Sequence, residues 1–257
     1  MNTIFFFIAA LLLCSACTPR HEGFVIRGSF PGLQNGMVVS LRSMEGEAIL
    51  ATDTIKNGKF ELQGITASPQ YCNLVISSNT SSFGVSNMVT IYMFLDNSKL
   101  TVNTAHLDSL QFVPPLISEI AVPKARVEGG PLQREYYEYR DTLMPLLLAA
   151  SEVNTALTML NMQENQYTTE EFDKRFDELY FKKLTAEAVV DAAKMEFIRQ
   201  HPQSPVSLFI AEGLLNTTFI RTTEEIKELT HIAEQIEDTV RRPRVLKMAE
   251  IAKTLYK

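Results

Sequence analysis

The residues of this chain that could do chemistry are few and widely spaced. Its four histidines, His21, His106, His201 and His231, show no metal-ligand spacing. A zinc site draws its ligands from closely spaced cysteines and histidines, so no metal is expected. Glu170-Glu171 and Glu224-Glu225 are paired carboxylates that could share a proton, but each pair follows two threonines, Thr168-Thr169 and Thr222-Thr223. That order is a capping-box signature at a helix start, which places the acids against a helix dipole rather than a substrate. No Gly-x-Ser-x-Gly, phosphate-binding loop or dinucleotide fingerprint occurs, so neither catalytic residues nor a cofactor is expected. The cluster Tyr136-Tyr137-Glu138-Tyr139 is compatible with a ligand groove or with half-buried packing whose hydroxyls stay wet.

The cysteines carry a different chemistry. Ile4 to Leu13 is an unbroken apolar run, shorter than the about 20 residues a membrane-spanning helix needs and suited to the apolar part of a signal peptide. Ser15 and Ala16 then lead into Cys17, followed by Thr18-Pro19-Arg20. The order resembles a lipobox, in which a signal peptidase cuts before a cysteine already carrying diacylglycerol. Cys14 stands where such motifs usually have leucine, and Met1-Asn2-Thr3 carries no cation. The alternative is an ordinary secretory signal in which Cys17 has no role. On the lipoprotein reading residues 1–16 leave, 17–22 are a tether, and Cys17 is the lipidation site; two or more acyl chains there anchor stably. Cys72 is then the one remaining thiol, so neither an internal disulfide nor a Cys-x-x-Cys pair exists in the mature chain. Its setting, Tyr71-Cys72-Asn73-Leu74-Val75, reads as a strand with a small buried hydrophobe.

Four triplets, Asp53-Thr54-Ile55, Asp108-Ser109-Leu110, Asp141-Thr142-Leu143 and Asp238-Thr239-Val240, resemble the Asp-Ser/Thr-apolar acceptor of O-glycosylated envelope proteins in Bacteroidetes. Thr54, Ser109, Thr142 and Thr239 are the candidate acceptors. Asp-Thr also serves strands and helix caps, so this reading stays beside a structural one.

Hydrophobic residues make up 46% of the chain and charged ones 21%, a mixture that buries a core and excludes disorder. A net charge of -6 argues against a nucleic-acid surface. Arg241, Arg242 and Arg244 around Pro243 read as a solvated turn between helices, with a phosphate site as the alternative.

Two kinds of pattern position these residues. From 23 to 129, short β-rich runs are separated by turn signals, with strands expected at Phe24–Ser29, Met37–Leu41, Ile49–Ile55, Lys59–Leu62, Tyr71–Ser77, Val89–Leu95, Leu100–Asn103 and Ala121–Val127. Asn35-Gly36 and Asn57-Gly58 are the turn dipeptides. Such spacing predicts an antiparallel sandwich or partly open barrel. From 130 to 257 the pattern is helical. Leu132, Tyr136, Tyr139, Leu143, Leu146, Ala150, Val153, Leu157 and Leu160 form a heptad-like seam, with Pro145 expected to kink or split the helix. Phe172 to Phe197 continue the period, predicting a long antiparallel helix pair, and three further helices start at Ser204-Pro205, Thr222 and Pro243. The fold class is therefore α+β.

Phe24-Val25-Ile26-Arg27-Gly28, Asp53 to Phe60, Tyr92-Met93-Phe94-Leu95-Asp96-Asn97, Val127-Glu128-Gly129-Gly130 and Phe197 to Ser204 occur in order. This order resembles the domain of unknown function 4369, found in envelope lipoproteins of Bacteroidetes, usually ahead of a thioredoxin-like thiol-disulfide oxidoreductase domain. The chain ends at Tyr256-Lys257, about where that second domain would begin, and has no Trp-Cys-x-x-Cys. The resemblance thus implies a stand-alone or shortened form, and the redox activity does not carry over. A non-catalytic binding or interaction module follows, lipid-anchored in the cell envelope. Thr18-Pro19-Arg20 lacks the acidic run of surface-exported lipoproteins, which favours the outer membrane facing the periplasm. An accessory that docks a separate thioredoxin-like protein is the alternative. The sheet edges and the tyrosine-rich helix start are the expected partner surface.

The intact mass of the chain from a lipoprotein-processing host is expected to show an acylated species beginning at Cys17, lost in Cys17→Ala. A lipid-free mass with another start would overturn the anchor. Glycosylation at the four acceptors predicts a further mass removed by deglycosylation.

Overall fold

A computed structural model describes residues 23–46, 48–77, 89–104, 125–216 and 222–255. Residues 1–22 with Cys17, and also His106 and Ser109, lie outside the described residues.

Among the described residues, eight strands form two four-stranded sheets. They are β1 (Phe24–Ser29), β2 (Val38–Ser43), β3 (Ile49–Thr54), β4 (Lys59–Gly64), β5 (Gln70–Ser77), β6 (Val89–Leu95), β7 (Lys99–Asn103) and β8 (Arg126–Glu128). One sheet has the order β4-β1-β7-β8 and the other β3-β2-β5-β6. Side chains alternate across a strand, so Phe24, Ile26, Phe60, Leu62, Leu100 and Val102 of the first sheet face Val39, Leu41, Cys72, Leu74, Ile76, Ile91, Met93 and Leu95 of the second. These inner faces form the sandwich core; among the described residues the two sheets do not close into a barrel. Five of the six pairings are antiparallel. The sixth, β1 with β7, is parallel, from Val25 opposite Lys99 to Ser29 opposite Asn103. It joins strands far apart in the chain, and local hairpin signals say nothing about such a pair.

Asn57 (φ 52°) and Gly58 (φ 71°) make the two-residue turn with positive φ at both positions. Lys56 and Lys59 exchange backbone hydrogen bonds of 3.0 Å across it. Gly129 (φ 94°) and Gly130 (φ 66°) turn the chain from β8 into the first helix.

Five helices follow among the described residues: α1 (Pro131–Met162), α2 (Thr169–Gln200), α3 (Pro205–Leu215), α4 (Thr223–Gln235) and α5 (Arg241–Leu255). Both capping boxes form: Thr168 and Thr222 side chains accept from the backbone N–H of Glu171 and Glu225, which reach back to the cap N–H. Glu171 and Glu225, the second acid of each pair, are therefore used in capping, with Glu170 and Glu224 beside them in the first turn. α1 and α2 form the expected antiparallel hairpin, with Leu143, Leu146 and Ala150 packed on Ala186, Val190 and Ala193. Pro145 does not split α1, which runs through it as one helix. Its ring is exposed, so water can reach the carbonyl it leaves unbonded, while the seam holds on either side. Further along the hairpin, Leu148, Met159, Met162, Tyr180, Phe181 and Leu184 remain exposed. By length and composition α1 is apolar enough to cross a membrane, a test that core helices also pass. α5 begins at Arg241, two residues before Pro243, because the Asp238 carboxylate accepts from the backbone N–H of Val240 (2.9 Å) and Arg241 (2.6 Å). That is helix capping by an upstream aspartate.

The start of α1 closes one side of the sandwich. Gln133 Oε1 accepts from the backbone N–H of Phe94 in β6 at 2.7 Å. One turn later, the Tyr137 hydroxyl accepts from the N–H of Val127 in β8 at 2.9 Å. β6 and β8 are edge strands of different sheets, so one helix satisfies donors on both edges. One backbone donor on each of these two edges is thus taken up from within the chain. Gln133→Ala strands the buried Phe94 N–H, and a loss of about 1–3 kcal/mol is expected in urea unfolding. A change under about 0.5 kcal/mol, typical of surface positions, would contradict the bridging role.

Candidate ligand-binding cavity

The outer face of the β3-β2-β5-β6 sheet carries aromatic rings. Because Cys72, Ile91, Met93 and Leu95 point into the sandwich, their neighbours Tyr71, Tyr92 and Phe94 must point away from it. Tyr71 is the centre of the cluster. Its ring lies 4.7 Å from Phe209 of α3, 5.4 Å from Tyr136 of α1 and 5.8 Å from Tyr92, the last stacked at 10°. The Tyr71 and Tyr136 hydroxyls share a hydrogen bond of 2.9 Å. Against this wall lies a cavity of about 450 Å³. Tyr139, Arg140, Leu143 and Leu147 of α1 and Lys194 of α2 form another side. Met44 and Glu45 after β2, Glu212 of α3, and Arg241 and Arg244 of α5 complete it.

Its charged side is an ion network. Arg241 is only 2% exposed. Its Nε donates to Glu212 Oε2 at 2.8 Å and its Nη2 pairs with Glu45 Oε1. Arg244 Nε lies 3.0 Å from Glu212 Oε1, and the Arg241 guanidinium sits 5.2 Å from the Phe209 ring centre. Arg241 thus lies buried in a helix, not in the solvated turn expected around Pro243. Helix capping by Asp238 turns Arg241 inward, where two carboxylates from distant segments hold it. Arg241 Nη1 has no hydrogen-bond partner among the described residues. Burial raises the Glu45 carboxyl above its ordinary value, against the opposing pull of Arg241. Burial, then the neighbouring Tyr136, pushes the Tyr71 hydroxyl upward, so it stays neutral at physiological pH.

Of the residues singled out in the sequence, the cavity gathers Tyr136, Tyr139, Arg241 and Arg244. Tyr137 is turned away to β8. Cys72 is on the opposite face of the sheet from Tyr71, fully buried, and burial pushes its thiol up to about 12. His201 caps α2, stacks on Phe197 at 4.3 Å and lies 3.6 Å from Glu135; His231 is near Gln235 on the exposed side of α4. No group of three potential metal ligands occurs among the described residues. Thr54, Thr142 and Thr239 are all exposed. Asp53 accepts from the backbone N–H of Glu61, which holds its carboxyl below the usual range, and the Thr142 hydroxyl donates to Glu138 O within α1. Sequence reasoning missed Tyr71, Tyr92, Phe209, Arg140 and Glu45. One signal was available: the unbroken apolar and aromatic run Ile91-Tyr92-Met93-Phe94-Leu95 in β6 marks a sheet buried on two faces.

Arg241→Met leaves Glu45 and Glu212 without the buried cation they share, a loss of about 3–5 kcal/mol. A carboxyl whose folded pKa exceeds its unfolded value binds more protons when folded, so stability falls as pH rises through that range. Glu45 in the variant is therefore expected to make the loss larger near about pH 8 than near about pH 5. Urea midpoints at both values check this; an equal loss at each would exclude Glu45 as the origin.

No curated protein matches this chain, and no solved structure does. A family model, described as domain of unknown function (DUF4369), matches residues 24–136. The match runs past the last strand to Tyr136, taking in Gln133, which bonds the β6 edge, and stopping one residue before Tyr137, which bonds β8. The sandwich, with the helix start that seals it, is a domain of the DUF4369 family.

Proposed function

We propose that this chain is a non-catalytic binding module of the cell envelope, anchored through lipid on Cys17 at the outer membrane and facing the periplasm, with the junction cavity as its ligand seat. The observation that carries the reading is the cavity itself. Its walls come from sheet, helices and an ion network that are already held in place, so little ordering remains to oppose binding. Its volume, about 450 Å³, and its mixture of aromatic wall and a few converging polar groups fit small-molecule sites. The groups nearest to chemistry support binding over catalysis. Tyr71 is held neutral beside Tyr136, and the Cys72 thiol stays protonated on the other side of the sheet. Glu45 and Glu212 are occupied by Arg241 and Arg244.

Leu147 is half-buried on the cavity wall, and Leu147→Trp would fill space there. Native mass spectrometry of the full chain extracted from its host membrane is expected to show a small-molecule adduct that the variant lacks. Identical masses for the two proteins, apart from lipid and the substitution, would count against a ligand seat.

A further inference from the structure

We infer that the cavity takes a small carboxylate carried on a planar apolar ring, the ring against Tyr71 and Phe209 and the negative charge on the guanidinium side. The inference rests on the cavity being the ligand seat and adds the chemical class of the ligand. In a chain of net charge -6, the cavity lining holds four cations and two carboxylates. Glu45 and Glu212 are already engaged by Arg241 and Arg244, so they offer little to a cationic ligand.

The remaining cations are less well matched. Arg140 has no carboxylate within ion-pair distance among the described residues, and its guanidinium lies 5.8 Å from the Tyr137 ring centre. Lys194 Nζ has Asp191 Oδ1 at 3.9 Å, too long for a hydrogen bond. The second observation is Arg241 Nη1, a donor of a side chain almost wholly buried in the lining, with no partner among the described residues. A buried donor left unmade costs stability, and an acceptor entering the cavity relieves that cost. A carboxylate matches the planar guanidinium in geometry and charge. The aromatic wall selects the rest of the molecule. Tyr71, Tyr92 and Phe209 offer flat faces, which favour a ring that stacks, and the volume accommodates one or two fused rings.

The test is calorimetric titration of the full chain in detergent, with 2-naphthoate and its neutral counterpart 2-naphthamide as probes and detergent alone as blank. The acid is expected to bind at least about tenfold more tightly than the amide, a difference of about 1.4 kcal/mol. That preference should collapse in Arg140→Met and largely survive in Arg140→Lys, with circular dichroism confirming that each variant is folded. The acid-to-amide ratio of the unaltered chain decides the question even if a variant fails to fold. Equal affinities, both abolished by Leu147→Trp, would overturn the anionic class and leave the cavity as a seat for neutral rings. Binding of neither probe would overturn the inference, while the adduct measurement on membrane-extracted protein separately decides whether the cavity is a ligand seat.

Discussion

Two hydrogen bonds at the start of α1 set the position of everything beyond the sandwich. An edge strand presents backbone donors that must find water or a partner. Here β6 and β8, edges of different sheets, find Gln133 and Tyr137, four residues apart on one helix. Residues four apart share a helix face, so satisfying both edges leaves α1 little freedom to rotate. With that rotation set, Tyr136, Tyr139 and Arg140 are directed to the aromatic face of the sheet, and the hairpin with α2 extends from there. The family match ends at Tyr136, so it includes the first half of this closure.

The second constraint is a charge. Arg241 is almost fully buried, and a buried guanidinium persists only with close, well-oriented carboxylates. Glu45 comes from the segment after β2 and Glu212 from α3, so the pairing ties sandwich, α3 and α5 together. Hydrophobic contact alone would tolerate small slips between these layers; a bidentate cation between two acids tolerates far fewer. The cavity lies between these two fastenings. Its aromatic wall is a consequence of sheet alternation, and its polar wall a consequence of the ion network. The same arrangement accounts for a chain with ordinary composition and no catalytic signature that nonetheless holds a shaped, charged recess.

Much of the secondary structure was legible because its signals are local. Asn57-Gly58, the Thr168 and Thr222 capping boxes, the glycine pair before Pro131 and the three-four spacing from Leu132 to Leu160 each act within a few residues, and each forms as expected. The errors are equally physical. The proline penalty is local, so Pro145 is expected to kink or split the helix; with its ring exposed within a long packed seam, the helix is not split. The arginines near Pro243 were read as solvated because charge favours water; Asp238, two residues before Val240 and three before Arg241, moves the helix start upstream and turns Arg241 inward.

The sequence by itself determined which segments are strands and helices, that Cys72 belongs to a core, and that the paired glutamates cap helices, since all of these follow from period, propensity and neighbouring residues. Only the tertiary structure decided that β1 lies parallel to β7, that Tyr71, Tyr136 and Phe209 meet, and that Arg241 is shared between Glu45 and Glu212. These contacts join residues from 29 to 196 positions apart, and no local pattern encodes them. They arise from burying two faces of one sheet, bonding an edge donor on β6 and on β8, and pairing a buried guanidinium with two carboxylates. The physical reason is therefore one of range: propensity and alternation operate along the chain, whereas desolvation and charge pairing are settled only when the layers come together.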